Sequence, residues 1–147
     1  MDRKGWIAGP RLDRFADEAM LLLRLYLGGF LIWGVWDNVT STARMAEFQQ
    51  FLAALNCPLP AVAAPVSVYA QLLTGILLIP GLAARWAGLL LAANFVVAVV
   101  LLTTGLDASG EVVAREAFGP VMCVLSGLLL ATHGAGRWSV DARLGRG

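Results

Sequence analysis

Few side chains in this sequence can bind, donate or accept inside an apolar setting. Arg24 stands about one turn inside an apolar run from Ala19 to Trp36. Its guanidinium is always charged and offers five donors, which suits an anionic group or a ligand oxygen. The same position also suits a structural role, with the head reaching back to the lipid headgroups while the stem stays in hydrocarbon. Gln71 and Asn94 are the polar residues deepest in two further apolar runs. Each amide needs a partner there, because an unpaired one costs about 2–7 kcal/mol. Two partners fit: the other amide, as glue between helices, or the carbonyl of a ring-bearing ligand with Tyr69 or Trp33 beside its ring. Counting outward from the turn Pro80 to Arg85 sets Gln71 level with Asn94, roughly 17 Å from that turn, and Gly75 level with Leu90.

Other reactive types are scattered. Asp37, Arg115 and Glu116 form a candidate polar cluster at one end of the chain's apolar runs, where Asp37 is expected to pair with Arg44 or Arg115 or to be hydrated. Gly119, Cys123, Ser126, Leu130 and His133 fall on one helical stripe of small and polar groups, read as a packing seam. His133 is placed to interact with the last carbonyls of its helix. Cys57 and Cys123 make no C-x-x-C pair and are expected to be free thiols. One His and no clustered carboxylates provide no metal set and no catalytic constellation, so no cofactor is evident from the residues alone.

The elements that position these residues follow from composition. The chain has 147 residues, of which 59% are hydrophobic and 14% charged, too little polar surface for an ordinary soluble domain. A hydrocarbon core of roughly 30 Å takes about 20 helical residues to cross. The apolar runs at about 19–38, 61–82, 85–105 and 114–133 therefore predict an all-α integral membrane protein, a four-helix bundle in a single domain over 1–147. Pro65 lies near the start of the second run, and Pro80-Gly81 break its end. Between the first two spans, Met45, Phe48, Leu52 and Leu55 recur at helical spacing opposite Arg44, Glu47 and Gln50, the pattern of an interfacial amphipathic helix. A similar pattern from Arg11 to Met20 suggests that the first span continues a surface helix.

Charge sets the expected orientation. Arg3, Lys4, Arg11, Arg14, Arg85, Arg137, Arg143 and Arg146 fall on the side of the two termini, against Arg44 and Arg115 on the other. Short cytoplasmic segments are rich in Lys and Arg, which predicts cytoplasmic termini and a bacterial inner-membrane location. Trp33, Trp36, Trp86 and Trp138 sit near the predicted boundaries as an aromatic belt. A net charge of +1 and the lack of a basic block interleaved with aromatics argue against nucleic acid as a partner.

Several stretches together resemble the DoxX family of small bacterial four-helix membrane proteins. They are Arg24-Leu25-Tyr26-Leu27-Gly28, Gly34-Val35-Trp36-Asp37-Asn38, Tyr69 through Leu78, Gly81-Leu82-Ala83-Ala84-Arg85, and the ending His133-Gly134-Ala135-Gly136-Arg137-Trp138-Ser139-Val140-Asp141. The resemblance implies an accessory or anchor subunit of a membrane redox system, quinone-linked or stress-related. It brings with it a quinone as the cofactor class, a redox partner protein, lipid contact and a homo-oligomer as expectations. The family often has Glu where this chain has Gln71, which removes a proton-transfer group from that chemistry. Two other readings suit the same residues: a small transporter or binder of a lipid-like molecule, and a membrane scaffold for a soluble partner.

Overall fold

The computed structural model describes residues 12–145. A 3-10 turn, Asp13–Phe15, leads into α1, Ala16–Thr40. The remaining helices are α2, Thr42–Ala54; α3, Pro60–Leu78; α4, Ala84–Gly105; α5, Gly110–His133; and the short α6, Val140–Arg143. Four of them, α1, α3, α4 and α5, are long and apolar enough to cross a membrane. No strand occurs among the described residues. The chain is thus an all-α, multi-pass integral membrane protein built as a four-helix bundle. Arg3, Lys4, Pro10, Arg11 and Arg146 lie outside the described residues.

Local chemistry explains the boundaries. Ser41 leaves the helical region and accepts a hydrogen bond from Arg44 N, separating α1 from α2. Pro60 opens α3, where its missing donor costs little. Pro80 and Gly81 end it, with Gly81 at φ +70°. The fourth span starts one turn earlier than its apolar run indicates, at Gly110. Ser109 precedes this start, and an Arg115–Glu111 ion pair one turn apart lies on its first turns.

The helices approach most closely as two couples. Gly28 of α1 lies against Gly75 of α3: a methyl built on Gly75 would stand 2.8 Å from the Gly28 carbonyl oxygen. Gly88 of α4 lies against Gly127 of α5 in the same way. Lipid tails are as apolar as Leu, so hydrophobic burial gives helices little reason to associate, and close packing through missing side chains takes its place. Side chains from all four spans then fill one core, with Leu27 and Leu31 of α1, Leu78 of α3, Leu91 of α4, and Cys123 and Leu130 of α5.

Two packing expectations change accordingly. Gly75 serves the α1–α3 couple instead of facing Leu90. The α5 seam runs through Cys123, Gly127 and Leu130, whereas a methyl added at Gly119 would meet nothing within 4 Å. The stripe drawn from Gly119 passed over Gly127 because two small residues, Ser126 and Gly127, stand side by side and only the contact with α4 distinguishes them.

Outside the core, α2 rests on α1 and α3 with Leu52 and the following Leu55 buried, while Arg44, Glu47 and Gln50 stay exposed. The Leu55 backbone abuts Gly105 at the end of α4. On the outer face of α1, Tyr26, Phe30 and Trp33 form an exposed run of rings.

A pair of glycine substitutions tests the coupling. Gly88→Ala would place a methyl 2.5 Å from the Gly127 carbonyl oxygen and should destabilise the bundle by about 1–3 kcal/mol through overpacking. Gly29→Ala meets nothing within 4 Å and should be neutral or slightly stabilising, since Ala is the better helix former. Thermal unfolding of both variants in one detergent measures the difference; equal midpoints would refute glycine-mediated packing of α4 on α5.

Candidate functional site

The chain's polar chemistry gathers beside the first turns of α1, at the end of α3, the start of α4 and the end of α5. Each helix end there presents backbone groups that its own helix cannot satisfy. At the end of α3 these are carbonyls, and Arg24 supplies the donors. Its Nη1 donates to Leu78 O at 3.0 Å and to Ile79 O at 3.4 Å, while Nη2 donates to Trp138 O at 2.6 Å. Arg24 is 0% exposed. The snorkelling expectation is therefore corrected: the guanidinium turns inward, because three carbonyl oxygens and the nearby Asp141 carboxylate offer it more than the headgroups would.

At the start of α4 the unsatisfied groups are N–H donors, and Asp141 accepts from both. Ala83 N donates to Oδ1 and Ala84 N to Oδ2, each at 2.8 Å. This bidentate cap holds Ala83 in the left-handed region at φ +49°, a conformation that costs a non-glycine residue about 1–2 kcal/mol. The C-terminal segment carrying Asp141 is itself docked by backbone, with Val140 N donating to Pro80 O at 3.0 Å and Asp141 N to Gly81 O at 3.1 Å.

At the end of α5 the donor is Arg85, whose Nη1 reaches Ala131 O at 3.1 Å and Thr132 O at 2.7 Å. The capping role expected of His133 is corrected in favour of Arg85, which approaches from the first turn of α4 with a longer reach; His133 is exposed. Arg137 closes the arrangement against α1. Its N–H donates to Asp17 Oδ1 at 2.9 Å and its Nη2 to Glu18 Oε1 at 2.6 Å. Ser139 caps α6, accepting from Ala142 N at 3.1 Å and donating to Gly136 O at 2.6 Å.

The remaining candidates do not assemble. Gln71 Nε2 donates to Ser67 Oγ at 3.1 Å, within its own helix, and no hydrogen bond joins it to Asn94. The level count sets depth alone, and the two amides meet only if α3 and α4 turn these faces to each other, whereas the glycine contacts draw α3 toward α1 and α4 toward α5. Tyr69 is 55% exposed on the outside of α3. The external cluster also separates. Asp37 lies 3.9 Å from Arg44, Arg115 pairs with Glu111 at 3.3 Å, and Glu116 is exposed with no ion pair among the described residues. Partners close in sequence, one turn away for Arg115 and across the α1–α2 junction for Asp37, win over the longer reach between distant helices. Arg44 keeps a raised pKa through its hydrogen bond to Glu47 and the charges of Glu47 and Asp37. Cys57 and Cys123 are both free.

Sequence reading missed Asp141 as a helix cap, Arg85 as a donor, and Thr74, whose hydroxyl is buried in the core without a hydrogen-bond partner among the described residues. A signal existed for the first. Ser139-Val140-Asp141 follows a glycine-rich helix stop, which is the composition of a capping segment.

The lock makes a direct prediction. Asp141→Ala removes both acceptors at the start of α4 and takes away a carboxylate whose charge acts on buried Arg24, and should cost about 3–5 kcal/mol. Trypsin should then cleave after Arg137 and Arg143 markedly faster in the variant, as read by intact mass against time. Unchanged cleavage would show that Asp141 does not hold the segment down.

A model of the DoxX family matches residues 19–104, more than half of the chain, running from the first turn of the α1 span to the end of α4. No curated protein and no solved structure matches the chain. The matched region holds Arg24, the Gly28–Gly75 contact and the Gly81–Arg85 turn in the order that the resemblance implies, within a bundle of four membrane-spanning helices. The chain belongs to the DoxX family.

Proposed function

We propose that this protein is an accessory or anchor subunit of a membrane redox system, quinone-linked or stress-related. The observation that carries the reading is how the buried charges are used. Arg24 and Asp141, both buried, are engaged with backbone groups at helix ends, which builds a rigid membrane element. The polar residues that could have handled a substrate, Tyr69, Gln71 and Asn94, stand apart. The redox association itself comes from the family resemblance. One observation favours the second reading, a binder of a lipid-like molecule: the unpartnered Thr74 hydroxyl faces the core, where a ligand oxygen would satisfy it.

Intact-complex mass spectrometry after gentle extraction distinguishes the two. The subunit reading expects co-extraction with a protein that carries flavin, haem or iron–sulfur absorbance, with quinone in the complex. A chain that emerges alone with a stoichiometric lipid-like molecule would sink it and favour the second reading.

The proposed setting is the bacterial inner membrane with both termini cytoplasmic and α2 lying at the opposite interface. It rests on the eight-to-two excess of basic residues on the terminal side. Reporter fusions after Gly147 and within the loop at Leu55 should report opposite sides, the first cytoplasmic. Activity of a periplasm-dependent reporter at Gly147 would overturn the orientation.

A further inference from the structure

Where the C-terminal segment crosses the ends of α1 and α3, an open cleft of about 450 Å³ remains, lined by Leu21, Pro80, Arg137, Trp138, Ser139 and Arg143 among others. Its chemistry is divided. It is lined by two guanidinium groups and by aliphatic Leu21, in the first turns of α1, and Pro80, just past the end of α3. We propose that this cleft binds the phosphate of an anionic phospholipid.

Charge supports the choice. Arg137 is held by Asp17 and Glu18, which fixes its position and sets two carboxylates against its one charge. Asp141 is turned inward to the α4 backbone. Arg143 is exposed and makes no ion pair among the described residues, so of the two guanidinium groups lining the cleft it is the one that no carboxylate holds. Arg137 also packs over the Trp138 ring, 5.2 Å from its centroid, leaving the ring 54% exposed in the position of an interfacial aromatic anchor. A soluble anion would use the guanidinium groups alone. A phospholipid uses both kinds of lining, because one turn deeper α1 and α3 present Leu25 and Ile76, both exposed hydrophobics along which an acyl chain can lie. A zwitterionic headgroup brings its own cation toward Arg143 and is disfavoured.

The site is independent of any redox role and is tested on the full chain in detergent micelles containing equal phosphatidylglycerol and phosphatidylcholine. Native mass spectrometry should show one retained phosphatidylglycerol in preference to phosphatidylcholine. Arg143→Gln should reduce that preference about five-fold, the effect of one surface cation on an anionic lipid. Arg143 makes no side-chain bond among the described residues, so the variant should fold as the parent does. Arg115→Gln removes an equal charge at the other end of the bundle and should leave the preference unchanged. Equal losses in the two variants, no loss with Arg143→Gln, or no initial preference would each overturn the proposal. Displacement of the lipid by millimolar inorganic phosphate would also overturn it, by showing a site for the free anion.

Discussion

A helix that stops at the edge of a membrane leaves its last carbonyls or first N–H groups in a place where water is scarce, and this constraint organises the chain. Three helix ends meet on the terminal side, and each is met by a side chain of the sign its dipole favours: Arg24 on the end of α3, Asp141 on the start of α4, Arg85 on the end of α5. Burying Arg24 or Asp141 alone would be costly. Together, and with backbone groups as their direct partners, they turn three separate terminations into one interlocked layer. Gly81 fits this layer because a side chain there would collide with the Arg24 guanidinium and with Ser139.

Below that layer the bundle relies on contact between surfaces. The glycines of α1–α3 and α4–α5 let backbones approach within a distance that larger residues forbid, and the turn from Pro80 to Ala83 joins the two couples. The capped layer and the glycine couples support each other. Arg24 lies one turn from Gly28, so the approach of α1 to α3 that Gly28 permits is also what brings the guanidinium to Leu78 and Ile79. The lipid-facing sides, by contrast, have few constraints beyond being apolar, which is why Trp33, Val97 and Phe118 are more than half exposed to the surroundings.

How much of this could be read from the residues depended on range. Span number, the break at Pro80-Gly81 and the helix from Thr42 were legible, because hydrophobic runs, prolines and N-cap residues act within a turn or two. Partner choice was not. Arg24 finds Trp138 across 114 positions, and nothing near Arg24 in the chain announces a carbonyl waiting there. Gln71 and Asn94 misled for the same reason: a count from the turn sets their depth but not which helix each will face. Ser67, one turn from Gln71, offered a local hydroxyl that a search for long-range partners passes over.

The distance between Arg24 and the segment that completes its site also matters during synthesis. Arg24 enters the membrane with the first span, but the Trp138 carbonyl and the Asp141 carboxylate exist only after 114 or more further residues have been made. At about 5–20 residues per second this takes roughly 6–23 s. Leu78 and Ile79 can take up Nη1 well before then, but throughout that interval Nη2 lacks the Trp138 carbonyl and the guanidinium lacks the Asp141 carboxylate. The layer of capped helix ends is therefore completed only when Trp138 and Asp141 have been made, well after α1 and α3 can meet.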